Sequence, residues 1–203
     1  MTSSLMQTIR RKIHAKHRGW VFTPQAFTGI GPRTAVDQAL SRLRRKGEIR
    51  RLAQGLYEFP RVHPHIGILS PSPEAIAEAL AKKTQTQIMM SGAQAANLLG
   101  LSTQVPAHNI FLTNGRSRTI QVGNQKIVLK HVAPSKMLGA GTEAGLVIQA
   151  LRSLGIFNIG EAPLASMSEK LPGSVKAKIK RLTPAAPGWL QPTLRQVVQC
   201  SRP

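Results

Sequence analysis

Cysteine, aromatic residues and acidic residues are all scarce in this sequence, and each scarcity excludes a class of site. The single cysteine, Cys200, excludes an internal disulfide framework and a cysteine-ligated zinc site, and it fits a reducing cytoplasm. Aromatic residues make up 4% of the chain, so the side chains on which single-stranded bases stack are few. The 8 acidic residues include no close pair of carboxylates that suits a two-metal catalytic centre.

Long apolar segments are also missing. The longest uncharged stretch, residues 84–115, is interrupted by amides, a proline and a histidine, so it would span a bilayer poorly. No apolar segment precedes the basic cluster at residues 10–12, and we therefore expect no secretory signal. These absences predict a cytoplasmic protein with no membrane partner.

Positive charge is what the chain has in excess. It carries 28 Lys and Arg residues against 8 acidic ones, which gives a formal net charge of +20 and an isoelectric point of about 11.7. A charge of this size attracts polyanions before any specific contact forms, so we expect association with the nucleoid. Hydrophobic residues make up 41% of the 203 residues, enough for a folded core in one medium domain or two small ones.

A run of prolines predicts a domain boundary. The prolines concerned are Pro60, Pro64, Pro71 and Pro73. Each removes a backbone donor and disfavours helix at the preceding residue, which is typical of a linker or a stiff connection. We therefore predict two domains, residues 1–64 and residues 65–203. The first holds 13 basic and 3 acidic side chains, so half of the net charge lies in about a third of the chain.

The first predicted domain combines helices with a hairpin. The expected elements are a helix over 4–17, a short strand over 20–22, a short helix over 24–28, a longer helix over 32–46, and strands over 48–52 and 56–59. Thr23 and Pro24 are good residues for the start of the short helix, and Gly55 joins the two strands. This order is typical of a winged helix-turn-helix domain, and the predicted fold class is α+β.

The helix over 32–46 has one apolar and one polar face. Val36, Leu40 and Leu43 form the apolar stripe. The opposite face carries Thr34, Gln38, Ser41, Arg42 and Arg45, with Arg33 and Arg44 at its flanks. Gln and Arg can form bidentate hydrogen bonds with adenine and guanine edges in the major groove. We therefore expect this helix to contact DNA bases, although Gln38 could also be an ordinary surface residue.

Basic residues outside this helix are expected to contact the DNA backbone. Arg50, Arg51 and Gln54 lie on the predicted hairpin, which would approach phosphates or the minor groove. Arg10 and Lys12 lie on the first helix and would hold the backbone there. An internal salt bridge of Arg51 with Glu58 or Asp37 is the alternative for that residue.

The second predicted domain is a mixed α/β region. Helices are expected over 72–83, 91–100 and 142–154, a strand over 88–90, and a small three-stranded antiparallel patch over 110–113, 118–122 and 126–132. A short helix carries the basic segment 170–181. That segment is either a second nucleic-acid surface or a solvated helix face.

The sequence contains no recognisable catalytic, metal-binding or cofactor-binding constellation. A phosphate-binding loop that ends in Gly-Lys-Ser/Thr is missing, and Gly139-Ala140-Gly141 is too short to replace it. His63 and His65 lie in the proline-rich stretch without further ligands at a suitable spacing. We therefore expect no catalytic residues, no metal, no cofactor and no enzymatic activity.

The segments LSRLRRKGEIRRL (residues 40–52) and Gly55-Leu56-Tyr57 resemble the N-terminal winged helix of the AbiEi family. These proteins are antitoxins of bacterial type IV toxin–antitoxin modules. Their helix runs through a Gly-x-Ile-x-Arg turn into the hairpin, which is followed by Gly-x-Tyr. The resemblance covers residues 5–60 well, extends in general plan to the second domain, and is thin after about residue 160.

The resemblance implies a DNA-binding antitoxin that represses its own operon. The winged helix would bind inverted repeats in its own promoter through Thr34, Gln38, Arg42, Arg45 and the hairpin residues Arg50 and Arg51. The second domain would counter a nucleotidyltransferase-like toxin encoded next to it. The basic segment 170–181 departs from the family pattern, and it would bind additional DNA or an acidic toxin surface. The alternatives are an RNA-binding protein and a winged-helix regulator unrelated to a toxin. A monomer and a dimer both fit the sequence.

Overall fold

The computed structural model describes residues 2–155 and 160–199; Cys200, expected to be an incidental thiol, lies outside them. The helices are α1 (Thr2–His14), α2 (Arg33–Arg45), α3 (Pro73–Thr84), α4 (Gly92–Leu98), α5 (Glu143–Leu154), α6 (Glu161–Lys170), α7 (Gly173–Leu182) and α8 (Gln191–Gln199). The strands are β1 (Val21–Phe22), β2 (Arg50–Ala53), β3 (Leu56–Glu58), β4 (Val62–His63), β5 (Gly67–Ile68), β6 (Ile88–Met90), β7 (Asn109–Thr113), β8 (Arg118–Val122) and β9 (Gln125–His131). Helices and small antiparallel sheets make the protein α+β, as predicted.

The described residues pack into two compact units. The first holds the described residues up to 85 together with Ile120–Ile127, and the second holds Thr86–Thr119 and the described residues from 128 onward. The first unit extends beyond the predicted boundary at residue 64 because α3 packs against β1. Ser72 caps α3 by accepting a hydrogen bond from the backbone N–H of Ala75, so the helix starts at Pro73, the last of the four prolines. The functional division at residues 64 and 65 stays a prediction.

The first unit contains the elements in the order expected from the sequence. After α1 come β1, a 3₁₀ helix (Pro24–Phe27), α2, and the antiparallel pair of β2 and β3. The sheet has the order β1-β3-β2, with β3 in the centre. Ile9 and Ile13 of α1 and Leu40 of α2 are buried in one core with the aromatic rings of Phe22 and Phe27. This core holds the two helices against each other.

A glycine ends α2 and turns the chain toward β2. Gly47 adopts a φ of 72°, and its N–H donates to the carbonyl of Arg44 at 3.0 Å. The next N–H, that of Glu48, donates to the carbonyl of Leu43 at 3.1 Å. These two bonds form a Schellman motif. A positive φ at its glycine position would strain the backbone of a residue that has a Cβ atom. The motif places the hairpin directly after the helix.

The proline-rich stretch contains a small hairpin that the sequence did not predict. Val62 pairs with Ile68 and His63 pairs with Gly67, which forms a two-stranded antiparallel sheet of β4 and β5. The sequence does not predict this pairing, because strands of only two residues show no alternating pattern of polar and apolar residues.

The largest sheet has four strands in the order β6-β7-β9-β8. The predicted three-stranded patch corresponds to β7, β8 and β9. The strand over 88–90 joins it as β6, where Ile88 is paired with Thr113 of β7. This extension depends on a pairing between separate segments, which local sequence patterns do not specify.

Helices dominate the second unit. Ile148 and Leu151 of α5 are buried in one cluster with Ile179 of α7 and Leu194 of α8. Thr142 caps α5 by accepting from the backbone N–H of Gly145 at 3.2 Å. The sequence predicts α5 and the helix of α7, but its pattern does not predict α6 or α8.

Candidate nucleic-acid interface

Helix α2 has a buried apolar stripe and an exposed polar face, as its spacing predicts. Val36, Leu40 and Leu43 are buried in the core of the first unit. On the opposite side Thr34, Gln38, Arg42 and Arg45 are exposed, and Ser41 is half-buried. Residues three or four positions apart lie on the same face of a helix, so these side chains form one continuous surface. The core therefore determines which side of α2 is free to meet a ligand.

An ion pair lies at one edge of this polar face. Arg33 Nε donates to Asp37 Oδ2 at 2.9 Å, and both side chains are exposed on successive turns of α2. An exposed pair of this kind contributes at most about 1 kcal/mol to stability. Its main effect here is to neutralise the carboxylate of Asp37, so that the acidic residue does not repel a polyanion from the helix.

The hairpin places Arg51 and Gln54 in solvent. Arg51 Nε donates to the carbonyl of Ala53 at 3.3 Å. In the described part of the chain Arg51 forms no salt bridge with either of the partners considered, because Glu58 is paired with Arg50 and Asp37 is paired with Arg33. The guanidinium of Arg51 is therefore available to an external anion.

Arg50 has a different position from the one predicted for a DNA contact. Arg50 is the register partner of Glu58 in the β2–β3 pair, and its Nε donates to Glu58 Oε2. Its Nη2 donates to the carbonyl of Leu69 at 2.6 Å. Side chains alternate along a strand, so Arg50 points inward where Arg51 points outward. We therefore assign Arg50 a positioning role in the hairpin.

The basic residues of α1 are tied to neighbouring elements. Arg10 Nε donates to Glu48 Oε2 at 2.7 Å, and His14 Nε2 lies 3.3 Å from the same oxygen. Burial alone would raise the pKa of Glu48, but hydrogen bonds and charges from Arg10 and His14 outweigh it, so the pKa lies below its usual value. Lys12 Nζ donates to the carbonyl of Ala26 at 2.7 Å. Arg10 and Lys12 thus fasten α1 to the turn after α2 and to the 3₁₀ helix, and both side chains remain exposed.

A groove lies beside the polar face of α2. It has a volume of about 410 Å³ and is lined by Pro24, Arg33, Asp37, Arg51, Gln54, Gly55, Tyr57 and Lys83. Three of the predicted contact residues therefore meet in one concave surface. Tyr57 and Lys83 were not among the predicted residues. The adjacent lysines at the end of α3 were visible in the sequence, but no spacing connected them with the hairpin.

The other residues considered in the sequence do not form a comparable site. The rings of His63 and His65 lie 5.8 Å apart, and the backbone N–H of His65 donates to His63 Nδ1 at 3.2 Å. Within residues 2–155 and 160–199, no group of three or more His, Cys, Asp or Glu residues could hold a metal ion. The same residues contain no helix that is long and apolar enough to cross a membrane. On α7, Lys180 and Arg181 are exposed, and the role of the segment 170–181 stays a prediction.

These observations define an α+β protein in which a basic helix face, a hairpin and a groove lie side by side. Residues 8–179 match DUF6088, a family of unknown function, and because this match covers most of the chain the protein belongs to that family. The crystal structure of the RV2827C protein from Mycobacterium tuberculosis is similar at 14% identity and a TM-score of 0.41, covering 91% of this chain and 77% of that one. No curated protein matches the chain.

Proposed function

We propose that this protein is a double-stranded DNA-binding protein of the winged helix-turn-helix type. Helix α2 contacts bases in the major groove, and the β2–β3 hairpin contacts the backbone or the minor groove. The observation that supports this most is the exposed row of Thr34, Gln38 and Arg45 directly opposite the buried stripe of the same helix. Bases can be distinguished only by side chains that the fold leaves free.

The dimensions and chemistry of α2 suit the major groove. A helix with its side chains is about 10–12 Å across, and the groove is about 12 Å wide. Gln38 offers an amide that matches adenine, and Arg42 and Arg45 offer guanidinium groups that match guanine. The hairpin follows the helix directly in the chain. When α2 lies in the major groove of DNA, Arg51 and Gln54 would therefore lie beside that groove.

We also propose that the DNA bound is the protein's own promoter and that binding represses the operon. The resemblance of residues 40–57 to AbiEi antitoxins supports this role, and it also implies that residues 65–203 counter a nucleotidyltransferase-like toxin. Co-expression with the adjacent reading frame tests the antitoxin part. Growth restored by this protein supports it, whereas growth that stays arrested in its presence contradicts it.

A gel-shift titration tests the DNA-binding function. The DNA just upstream of the reading frame is compared with a scrambled duplex of equal length at about 150 mM salt, where non-specific binding is weak. We expect the native fragment to bind far more tightly. Equal affinity for both duplexes contradicts sequence-specific binding, and a preference for structured RNA over both supports the RNA-binding alternative.

A pair of matched variants shows whether α2 carries the specificity. Gln38→Ala combined with Arg42→Ala removes two base-contacting groups, and we expect a loss of discrimination of about 1–3 kcal/mol for each. Gln196→Ala combined with Arg195→Ala changes the same residue types on α8, where both side chains are exposed. This control should bind the native fragment like the wild type. Unchanged discrimination in the α2 variant contradicts the proposal.

A further inference from the structure

We propose that the groove between α2, the β2–β3 hairpin and the end of α3 binds a phosphodiester of the DNA backbone, and that Lys83 is its central cation. This inference rests on the proposed function and deepens it, because it adds a contact from a helix outside the predicted DNA-binding domain. DNA binding would then require residues up to at least 84, the end of α3.

The position of the Lys83 ammonium is the first observation behind this inference. A Cβ atom placed on Gly55, at the turn of the hairpin, would lie 3.8 Å from Lys83 Nζ. The ammonium group therefore lies at the hairpin turn, although its helix begins well after the hairpin. Lys83 lines the groove together with Arg51 and Gln54. Helix α2 and the hairpin, which follow one another in the chain, and the more distant α3 thus supply polar groups to one concave surface.

The charge of the groove is the second observation. The charges of Arg33 and Asp37 neutralise each other, since Arg33 Nε lies 2.9 Å from Asp37 Oδ2. The positive charges of Arg51 and Lys83 remain in the groove. Among the described residues no acidic side chain forms a salt bridge with Lys83 or Arg51, whereas the neighbouring Lys82 lies 3.8 Å from Glu78. Two uncompensated cations in a concave surface concentrate a positive potential there. Such a site attracts a phosphodiester, which carries one negative charge and several acceptor oxygens.

The place of the groove beside α2 is the third observation. Residues of a helix advance by about 100° each, so Arg33 and Asp37 lie at the edge of the face that has Thr34 and Gln38 at its centre. DNA that presents base edges to the centre of this face must present a phosphate backbone to its edge. The groove lies at that edge, on the side of the hairpin. A phosphate seated there would determine the register of α2 on the duplex.

Two adjacent lysines allow a matched test with the full chain. Lys83→Gln and Lys82→Gln remove the same charge from the same helix, but only Lys83 lines the groove. We expect Lys83→Gln to weaken binding to the native and scrambled duplexes about fivefold at about 150 mM salt, with the slope of log affinity against log salt reduced by about 1. Lys82→Gln should leave the slope unchanged. Lys83→Arg should retain the wild-type slope, because the charge stays in place.

The outcomes separate this inference from the proposed function. Equal effects of Lys83→Gln and Lys82→Gln overturn the groove site, even where the α2 variant still loses discrimination. Failure of the wild-type protein to bind DNA overturns the proposed function and the groove site together. If Lys83→Gln lowers the thermal unfolding temperature, its weaker binding could reflect a loss of folded protein. Arg51→Gln then tests the same groove from the hairpin side. An unchanged slope in Arg51→Gln then overturns the site.

Discussion

Arg50 and Glu58 form an internal ion pair across the β2–β3 hairpin. The side chain of Glu58 is fully buried in the centre strand of the first sheet, and its Oε2 accepts from Arg50 Nε. The second oxygen, Oε1, is buried without a hydrogen-bond partner in the described part of the chain. Arg50 also donates to the carbonyl of Leu69. The pair therefore ties the hairpin to the segment that follows β5, and the orientation of Arg51 depends on it.

Removing the cation of this pair should destabilise the first unit. Arg50→Ala leaves the buried carboxylate of Glu58 without compensation, and we expect a loss of about 2–4 kcal/mol in the free energy of unfolding, somewhat less than for a fully buried pair. Urea denaturation measures it. Arg51→Ala on the same strand is the control, with an expected change below about 0.5 kcal/mol because that residue is exposed. Equal stability of the two variants would show that the pair has no structural role.

The cluster around Glu48 should make stability depend on pH. The pKa of Glu48 is lowered in the folded protein, despite burial, by Arg10 and His14. The folded state thus binds a proton less readily than the unfolded state, whose pKa is about 4.3. The contribution to stability is complete above that value and is lost as the pH falls through the folded pKa. As the pH is lowered from about 7 to about 3, the urea midpoint should fall less in Glu48→Gln than in the wild type. Parallel curves would contradict this assignment.

Gly145 permits a close contact in the second unit. A Cβ atom at this position would overlap the backbone carbonyl of Gly139, which lies in the turn before α5. Gly145→Ala should therefore lower the free energy of unfolding by about 1–3 kcal/mol. Gly173→Ala is the control, because a Cβ atom there meets no atom within 4 Å in the described part of the chain and Gly173 begins α7. That change should be neutral or slightly stabilising. Thermal unfolding measures both variants. A lower unfolding temperature in Gly145→Ala alone indicates steric overlap, whereas an equal decrease in both indicates a general effect of replacing glycine.

Base contacts and backbone contacts should respond differently to salt. Gln38 is uncharged, so Gln38→Ala should lower the discrimination between native and scrambled duplex by about 1–3 kcal/mol and leave the salt slope unchanged. Arg10→Ala should weaken binding to both duplexes by a similar factor, since it removes a positive charge and breaks the ion pair with Glu48. Gel-shift titrations between about 50 and 200 mM salt measure both effects. A changed slope in Gln38→Ala, or a selective effect of Arg10→Ala, would contradict these assignments.

Local patterns predicted the elements of the first unit well because each depends on a few neighbouring residues. The apolar spacing of Val36, Leu40 and Leu43 predicted both α2 and its buried side, and Gly47 predicted its end. The pair of β2 and β3 followed from two short strands around Gly55. The sequence was less informative about β4 and β5, whose strands are too short to show a period.

The sequence by itself determined the net charge of +20, the α+β class and the polar composition of the face of α2, because these depend on composition and on the period of a helix. Only the tertiary structure decided that Arg50 faces inward to Glu58, that Arg51 faces solvent, and that Lys83 reaches the hairpin turn. The register between strands and the packing of α3 against β1 decide these positions. Both involve residues far apart in the chain, and no local pattern specifies which of them will meet.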